Sequence, residues 1–209
     1  GIITAATESG SGAMTQGVSQ VVAESLGIQA SDVVIMPPDT VTVRLRGTAG
    51  QSLGAFAVQG MKLEVFGDAN DYVGKGLSGG TIVVKPTISS PLVPEANAII
   101  GNTVLYGATA GKLFASGRAG ERFAVRNSGA DAVVEGSIGV NFGAGMTGGM
   151  AFVYDPEDAF PLKVNAETVT WQRIDHPHWE SVLKELVAEH VAETKSPLGA
   201  RLRNDWDRE

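Results

Sequence analysis

The chain contains an internal repeat, and the spacing of that repeat constrains the fold more than any other feature. Residues 63–84, LEVFGDANDYVGKGLSGGTIVV, align without gaps on residues 132–153, AVVEGSIGVNFGAGMTGGMAFV, at an offset of 69. Five predicted strand cores start 19, 31, 19 and 19 residues apart: LEVFG (63–67), IVVKP (82–86), LFASG (113–117), AVVEG (132–136) and AFVYD (151–155). A strand-helix-strand unit needs about 30 residues. A period near 19 therefore favours a parallel β-helix, in which successive turns stack on one another.

The side-chain pattern of these strands agrees with a coil that has an apolar interior. Positions one and three of each core are small and aliphatic, whereas position four varies from Phe to Lys, Ser, Glu and Tyr. Alternate side chains of a strand share one face, so the aliphatic pair is predicted to point inward and position four outward. VRLRG (43–47) extends the series backwards, and the longer step of 31 is assigned to a proline-rich surface loop near residues 89–95.

The 27 glycines are predicted to mark the corners of the coil. A corner requires either a positive φ or a close approach to the turn above, and glycine satisfies both requirements. The predicted structural corner glycines are Gly50, Gly54, Gly74, Gly76, Gly79, Gly80, Gly107, Gly111, Gly143, Gly145, Gly148 and Gly149.

One of these corners, GKGLSGG (74–80), also matches the Gly-x-Gly-x-x-Gly motif that binds dinucleotides. That motif requires a buried strand before it and a helix N-terminus after it, because the helix amides hold the phosphates. Here a polar, turn-rich run precedes the glycines and a predicted strand follows them, and the corner recurs 69 residues later. A nucleotide-binding enzyme is therefore retained only as a minor alternative.

Composition excludes several classes of function. The chain has no cysteine, a formal net charge of -7 and few basic clusters. Thiolate catalysis and cysteine-ligated metals are thereby excluded within this chain, and nucleic-acid or anionic-membrane binding is disfavoured. No apolar run is long enough to span a bilayer and no signal sequence is recognised, so we expect a soluble, cytoplasmic protein.

The chain divides into three predicted parts. Residues 1–40 are predicted to form a divergent or grafted N-terminal cap, with a helix at 15–26 and a strand at 31–36. Residues 41–165 form the β-helix, and residues 166–209 form a helical tail. In the tail, Asp175 is predicted to cap a helix over 179–194, and Ser196 and Pro197 to start a second. His176 and His178 are interpreted as part of this helix start rather than as metal ligands.

Four segments resemble one known family: GTAGQSLGAF (47–56), GDANDYVGKGLSGGTIVVKP (67–86), IIGNTVLYGATAGKLFASG (99–117) and GERFAVRNSGADAVVEG (120–136). They are similar to the C-terminal glycine-repeat domain of the glutamate synthase large subunit. The resemblance implies a right-handed β-helix that packs against amidotransferase and FMN-binding domains as a scaffold. It also implies that this chain holds no catalytic, cofactor-binding or metal-binding residue, and that FMN and iron-sulfur clusters belong to the parent enzyme. An NADPH-type parent is expected, with a ferredoxin-dependent parent as the open alternative.

The chain also departs from this family pattern. Without cysteine it cannot perform the parent reaction, residues 1–40 fit poorly, and the tail is expected to be truncated. One turn is expected to be absent after VVEG (133–136), because Gly136 runs directly into Ser137. A stand-alone β-helix subunit of another redox complex, such as formylmethanofuran dehydrogenase, remains an alternative. Self-association through the ends of the β-helix is a further expectation.

Overall fold

The structure is a computed structural model that describes residues 3–6, 33–36, 41–149 and 151–206. Strand β1 (Ile3–Ala6) pairs in parallel with β2 (Val33–Met36). Strand β2 lies within the strand predicted at 31–36, whereas the helix predicted at 15–26 lies outside the described residues. The division of the chain at residues 40 and 165 stays a prediction.

A parallel sheet forms the body of the molecule. Its strands are β3 (Val41–Ala49), β4 (Met61–Ala69), β5 (Ser78–Lys85), β6 (Ala98–Ile100), β7 (Ala110–Ala115), β8 (Arg118–Ala119) and β9 (Asp131–Val134). The long strands stack in the order β3-β4-β5-β7-β9, and every pairing is parallel. Leu63 pairs with Ile82, Ile82 with Leu113, and Leu113 with Ala132. The predicted parallel β-helix and its register are therefore confirmed.

The inward side chains form one continuous stack. Positions one and three of the strand cores are almost fully buried through β4, β5 and β7, and they belong to a single apolar cluster: Leu63, Val65, Ile82, Val84, Leu113 and Ala115. Burial of each large aliphatic side chain contributes about 1.5–3 kcal/mol before conformational entropy is subtracted. In β9 the corresponding Ala132 and Val134 are only half-buried. The covered stack therefore ends at β9.

The longer step between β5 and β7 is a loop outside the coil, as the sequence predicted. Residues 86–97 leave the sheet, include a short 3₁₀ helix at Pro94–Ala96, and return at β6. There β6 pairs with the end of β4 through Ala69 and Ile100, and also with β8. The turn that begins at β5 is thus completed after the loop.

The strand predicted at 151–155 is wrong, because this segment has no strand structure. The corner before it follows the stack, and the amide of Thr147 donates to the carbonyl of Asn127 at 3.0 Å. A cavity then separates 151–155 from β9. Among the described residues no backbone hydrogen bond joins this segment to β9, so the two do not form a strand ladder.

Two helices follow, α1 (Pro177–Thr194) and α2 (Pro197–Asn204). The predicted cap at Asp175 is wrong: the N-cap is His176, whose Nδ1 accepts from the amide of His178 at 3.2 Å. The N-cap thus lies one residue later than predicted, with proline, which has no amide to donate, at the first helical position; the helix begins two residues before the predicted start at 179. The second helix is capped by Ser196, whose Oγ accepts from the amide of Gly199 at 2.8 Å. No helix within the described residues is long and apolar enough to cross a membrane.

Helix α1 lies on the outward face of β5, β7 and β9. Its Leu186 and Val187 are buried, and it covers the fourth positions of two strand cores, Ser116 and Glu135. These side chains point outward as predicted but are buried beneath the helix. Ser116 and Glu135 therefore form a polar cluster with His190 beneath α1.

Candidate functional site

Five consecutive amides of the GKGLSGG corner, those of residues 74–78, are bonded within the chain and are not free to hold a phosphate. Its donors bond to neighbouring turns or within the corner: Gly74 N to Leu53 O at 2.9 Å, Lys75 N to Tyr72 O at 3.1 Å, Gly76 N to Tyr106 O at 2.9 Å, Leu77 N to Gly74 O at 3.0 Å, and Ser78 N to Ala57 O at 2.9 Å. A phosphate cradle needs unpaired amides at a helix N-terminus. Here the corner leads into strand β5 instead, so its geometry is that of a structural turn.

The corners share an alternation of backbone conformation. At every second residue φ is near +60°, and these residues form three ladders through the stack: Ser52, Tyr72, Thr103, Arg122 and Asn141; Gly54, Gly74, Leu105, Ala124 and Gly143; Phe56, Gly76, Gly107, Arg126 and Gly145. Such conformations are easy for glycine and costly for most other residues. The backbone of the corner is therefore the same in each turn, although the residue types differ.

The predicted corner glycines differ in why they are glycine. Positive φ values occur at Gly54, Gly74, Gly76, Gly79, Gly107, Gly111, Gly143, Gly145 and Gly149. Close approach explains Gly148, where a Cβ would lie 2.5 Å from the carbonyl oxygen of Ser128. At Gly80 a Cβ would lie 3.1 Å from the Cβ of Ala57. Gly50 has neither a positive φ nor an atom within 4 Å of such a Cβ, so nothing in the structure requires glycine there.

An ion-pair network joins α1 to the sheet. Glu64 accepts from Arg44 Nε and Lys85 Nζ, each at 2.7 Å. Lys85 Nζ also donates to the carbonyl of Glu193 at 2.6 Å, and Lys62 Nζ pairs with the Glu193 carboxylate at 2.6 Å. Burial alone would raise the pKa of Glu64, but the hydrogen bonds and charges of Lys85 and Arg44 outweigh it and lower the pKa below its ordinary value.

A second polar cluster lies deeper under α1. Glu135 accepts from Ser116 Oγ at 2.8 Å and contacts His190 Nε2 at 2.7 Å. The side chains of Glu135 and His190 are 2% and 1% exposed, and Nδ1 of His190 has no hydrogen-bond partner. Ser116 and His190 both bond to the carboxylate rather than to each other. Because the serine hydroxyl donates to the carboxylate and has no hydrogen bond to the imidazole, the cluster lacks the serine–histidine contact of a Ser-His-Asp triad.

At the edge of this cluster, Lys112 Nζ pairs with the Glu189 carboxylate at 2.5 Å. Asp131 lies nearby, and burial raises the pKa of its carboxyl; the charge of Lys112 partly offsets this effect and that of Glu189 adds to it. These contacts anchor α1 to the sheet. Among the described residues, no group of three or more His, Cys, Asp or Glu side chains is placed to hold a metal ion.

A cavity of about 990 Å³ lies beyond β9. Its walls are β9, residues 151–158 and 168–175, and the inner faces of α1 and α2, including Trp171, Trp179 and Trp206. Aromatic rings close the neighbouring corner side of the coil, with centroids 6.0 Å apart for Phe123 and Phe142 and 5.4 Å apart for Phe142 and Phe160. The corner residues Phe142, Met146 and Thr147 also line the cavity.

Sequence reasoning missed the polar contacts beneath α1. A signal was present: Lys62 and Lys112 directly precede their strand cores, and Glu185, Glu189 and Glu193 recur every four residues along one helix face. Lysines at repeating positions of stacked strands form a column, which a column of helix carboxylates can meet. The residues of GKGLSGG, in contrast, contact residues of the adjacent corners, such as Leu53, Phe56 and Tyr106.

FMN and iron-sulfur clusters do not fit the residues of this chain. Clusters need thiolate ligands, and the chain has no cysteine. The amides of residues 74–78 in the GKGLSGG corner, which could otherwise approach a cofactor phosphate, are already bonded. No chemical step is therefore assigned to either group here.

Comparison with known proteins supplies the relationship. A family model described as the GXGXG motif matches residues 13–139 and again 136–209. The chain is 64% identical over 193 residues to the glutamate synthase [NADPH] large chain of Azospirillum brasilense, and this alignment covers 83% of this chain and 13% of that protein. It is 48% identical over 184 residues to ferredoxin-dependent glutamate synthase 2 of a Synechocystis strain, covering 79% and 12%. With glutamate synthase [NADH] of Schizosaccharomyces pombe it shares 46% over 191 residues, covering 83% and 9%.

Two features of these alignments bear on length. The chain spans about an eighth of the Azospirillum and Synechocystis proteins, and less of the Schizosaccharomyces protein. In addition, 83% of 209 residues is about 173, so about 20 of the 193 positions aligned with the Azospirillum protein have no residue here. The Synechocystis alignment has a similar surplus of about 19. The chain belongs to the GXGXG-motif family, and it is similar to one segment of the glutamate synthase large chains.

Proposed function

We propose that this chain is the β-helix scaffold of a glutamate synthase large chain and contributes no catalytic group. The observation that supports the proposal is that the corner amides and the buried carboxylates of the chain form hydrogen bonds within the chain itself. The corner amides bond to adjacent turns, and the buried carboxylates bond to lysine, serine and histidine within the chain. Such groups hold a rigid stack together and offer no nucleophile or base to a substrate.

In this proposal the chemistry lies in the rest of the large chain. By family resemblance, the parent transfers the amide nitrogen of glutamine to 2-oxoglutarate and reduces the product to glutamate with FMN and iron-sulfur clusters. The 64% identity to the NADPH enzyme, against 48% to the ferredoxin-dependent one, favours an NADPH-type parent. Cytoplasmic localisation belongs to the same proposal.

The loop at residues 86–97 is the surface that we assign to neighbouring domains, namely the amidotransferase and FMN-binding domains. Ile88, Leu92 and Val93 are 99%, 56% and 55% exposed on this one loop. Clustered apolar side chains on an otherwise polar surface are typical of contact sites. The β-helix stack would hold this loop at a fixed position relative to its other faces.

The test uses a chimera in which this chain replaces the matching segment of the Azospirillum large chain. We expect the chimera to make glutamate, and the isolated chain to make none from glutamine, 2-oxoglutarate and NADPH. Ile88→Asp is expected to lower the activity of the chimera without lowering the melting temperature of the isolated chain.

The matched control is the buried cluster. Ser116→Ala and His190→Gln are expected to change activity only as far as they change stability. A fall in kcat at unchanged melting temperature for either variant would identify a catalytic role and refute the scaffold proposal, as would turnover by the isolated chain.

A further inference from the structure

We propose that the cavity beyond β9 is an acceptor site for one extended strand, and that its occupant is the strand segment of one turn of the same repeat. The occupant has small aliphatic side chains at alternate positions and pairs in parallel with β9. Recognition by strand addition to an open edge is a general mode of peptide binding, in which backbone bonds supply affinity and side-chain pockets supply specificity.

Strand β9 is paired along one edge only among the described residues. One edge pairs with β7, with Leu113 opposite Ala132 and Ala115 opposite Val134. Its other edge has no strand partner within the described ranges. Because Ala132 and Val134 are only half-buried while their counterparts in β7 are fully covered, the sheet lacks a layer on this side.

The cavity is large enough to hold an added strand. One strand core of five residues occupies a slab about 16 Å long, about 4.8 Å wide between strands and about 10 Å thick, or about 800 Å³. The cavity measures about 990 Å³. It therefore has room for at least one additional strand and its side chains.

One wall of the cavity is formed by residues 151–155. Residues 151–155 carry the strand pattern of the repeat and line the cavity opposite β9. The preceding corner has the same conformation as the first copy, with φ of +69° and +67° at Gly143 and Gly145 and +67° and +64° at Gly74 and Gly76. The corner that leads into residues 151–155 thus has the backbone conformation of a normal turn.

The comparisons support the same count. The relatives have about 19 or 20 aligned positions that this chain lacks, which is one turn of a 19-residue period. The family model also matches twice, and its two matches meet at residues 136–139, directly after β9. A coil whose turns contact only their neighbours can lose a whole turn and keep the remainder folded.

The chemistry of the cavity specifies one further feature of the occupant. Glu135 and His190 line it, and Nδ1 of His190 is buried without a partner. Position four of an added strand would continue the column formed by Ser116 and Glu135, each 19 residues apart. A side chain such as serine at that position could form a hydrogen bond to the buried polar groups of this column.

The first experiment inserts the missing turn in cis. Residues 118–136, RAGERFAVRNSGADAVVEG, are duplicated directly after Gly136 in the full chain. Each kcal/mol shifts the melting temperature by about 2–4 °C in a chain of this size, so we expect a rise of more than about 5 °C. A glycine-serine insert of the same length at the same place is the control, and it is expected to produce no rise.

The second experiment supplies the turn in trans. The probe is a peptide with the sequence of residues 113–131, LFASGRAGERFAVRNSGAD, added to the unaltered chain. Binding is followed by tryptophan fluorescence, because all three tryptophans line the cavity. We expect one peptide per chain. The control peptide carries Phe114→Pro, which removes a ladder amide and prevents strand pairing.

The proposal stands if the duplicated turn raises the melting temperature or the peptide binds one to one while its proline control does not. It is overturned if neither occurs. It is also overturned if the unaltered chain forms a dimer in which a second copy fills the cavity. Hydrogen exchange that shows residues 151–155 already paired with β9 would overturn it as well.

Discussion

Substitution of two corner glycines that have the same φ separates backbone strain from packing. Gly54 and Gly107 have φ values of +67° and +64°. A Cβ at Gly54 would lie 2.5 Å from Ile82 Cδ1 and 3.0 Å from Leu63 Cδ1, both in the buried core. A Cβ at Gly107 would have nothing within 4 Å. The comparison of Gly54→Ala with Gly107→Ala therefore isolates the contribution of the core.

The expected magnitudes follow from these contacts. Alanine in the left-handed region costs about 1–2 kcal/mol, and both variants incur that cost. Overpacking of a dense core adds about 1–3 kcal/mol at Gly54 alone. We expect Gly107→Ala to lower the free energy of unfolding by about 1–2 kcal/mol, and Gly54→Ala by about 2–5 kcal/mol.

The assay is equilibrium urea unfolding followed by circular dichroism, with the free energy extrapolated to water. A double variant adds a direct check of cause. Ile82→Val alone should cost about 0.5–1.5 kcal/mol. Because it also removes Cδ1, Gly54→Ala combined with Ile82→Val should cost less than the sum of the two single changes. Equal losses at Gly54 and Gly107, or strict additivity with Ile82→Val, would refute the packing explanation.

Three further predictions concern charge and corner conformation. Since the pKa of Glu64 is lowered on folding, the ionised carboxylate stabilises the folded state above the unfolded pKa of about 4.3, and this stabilisation is lost as pH falls through the folded pKa. In urea titrations, the difference in the free energy of unfolding between the unaltered chain and Glu64→Gln should therefore shrink across that pH range. The pKa of Asp131 is raised, so its charge opposes folding as pH rises through the folded value; Asp131→Asn should be the more stable protein at pH 7, and the two should converge below about pH 3.9. Arg122 is exposed at φ +59°, a conformation that asparagine adopts more readily. Arg122→Asn should therefore raise the melting temperature, whereas Glu121→Asn, at the adjacent exposed position, should leave it unchanged.

The repeat predicted the strand register because stacking is periodic. Each turn contacts the one before it, so a fixed spacing in sequence becomes a fixed pairing in space, as between Leu63 and Ile82. The same logic failed at residues 151–155. Their pattern is that of a strand, but strand structure also requires a partner edge, and the cavity separates them from β9.

The chain's sequence by itself determined the coil: its period, its inward aliphatic column and its glycine corners, all of which depend on local conformation and on contacts between adjacent turns. Only the tertiary structure decided which outward-pointing side chains of the strands are buried and which are exposed. Glu135 and Ser116 occupy positions that alternation assigns to solvent, yet α1 buries them and supplies His190 as a partner from 55 residues away. A strand pattern specifies which face a side chain occupies. It does not specify what covers that face, because the position at which α1 packs depends on contacts distant in sequence.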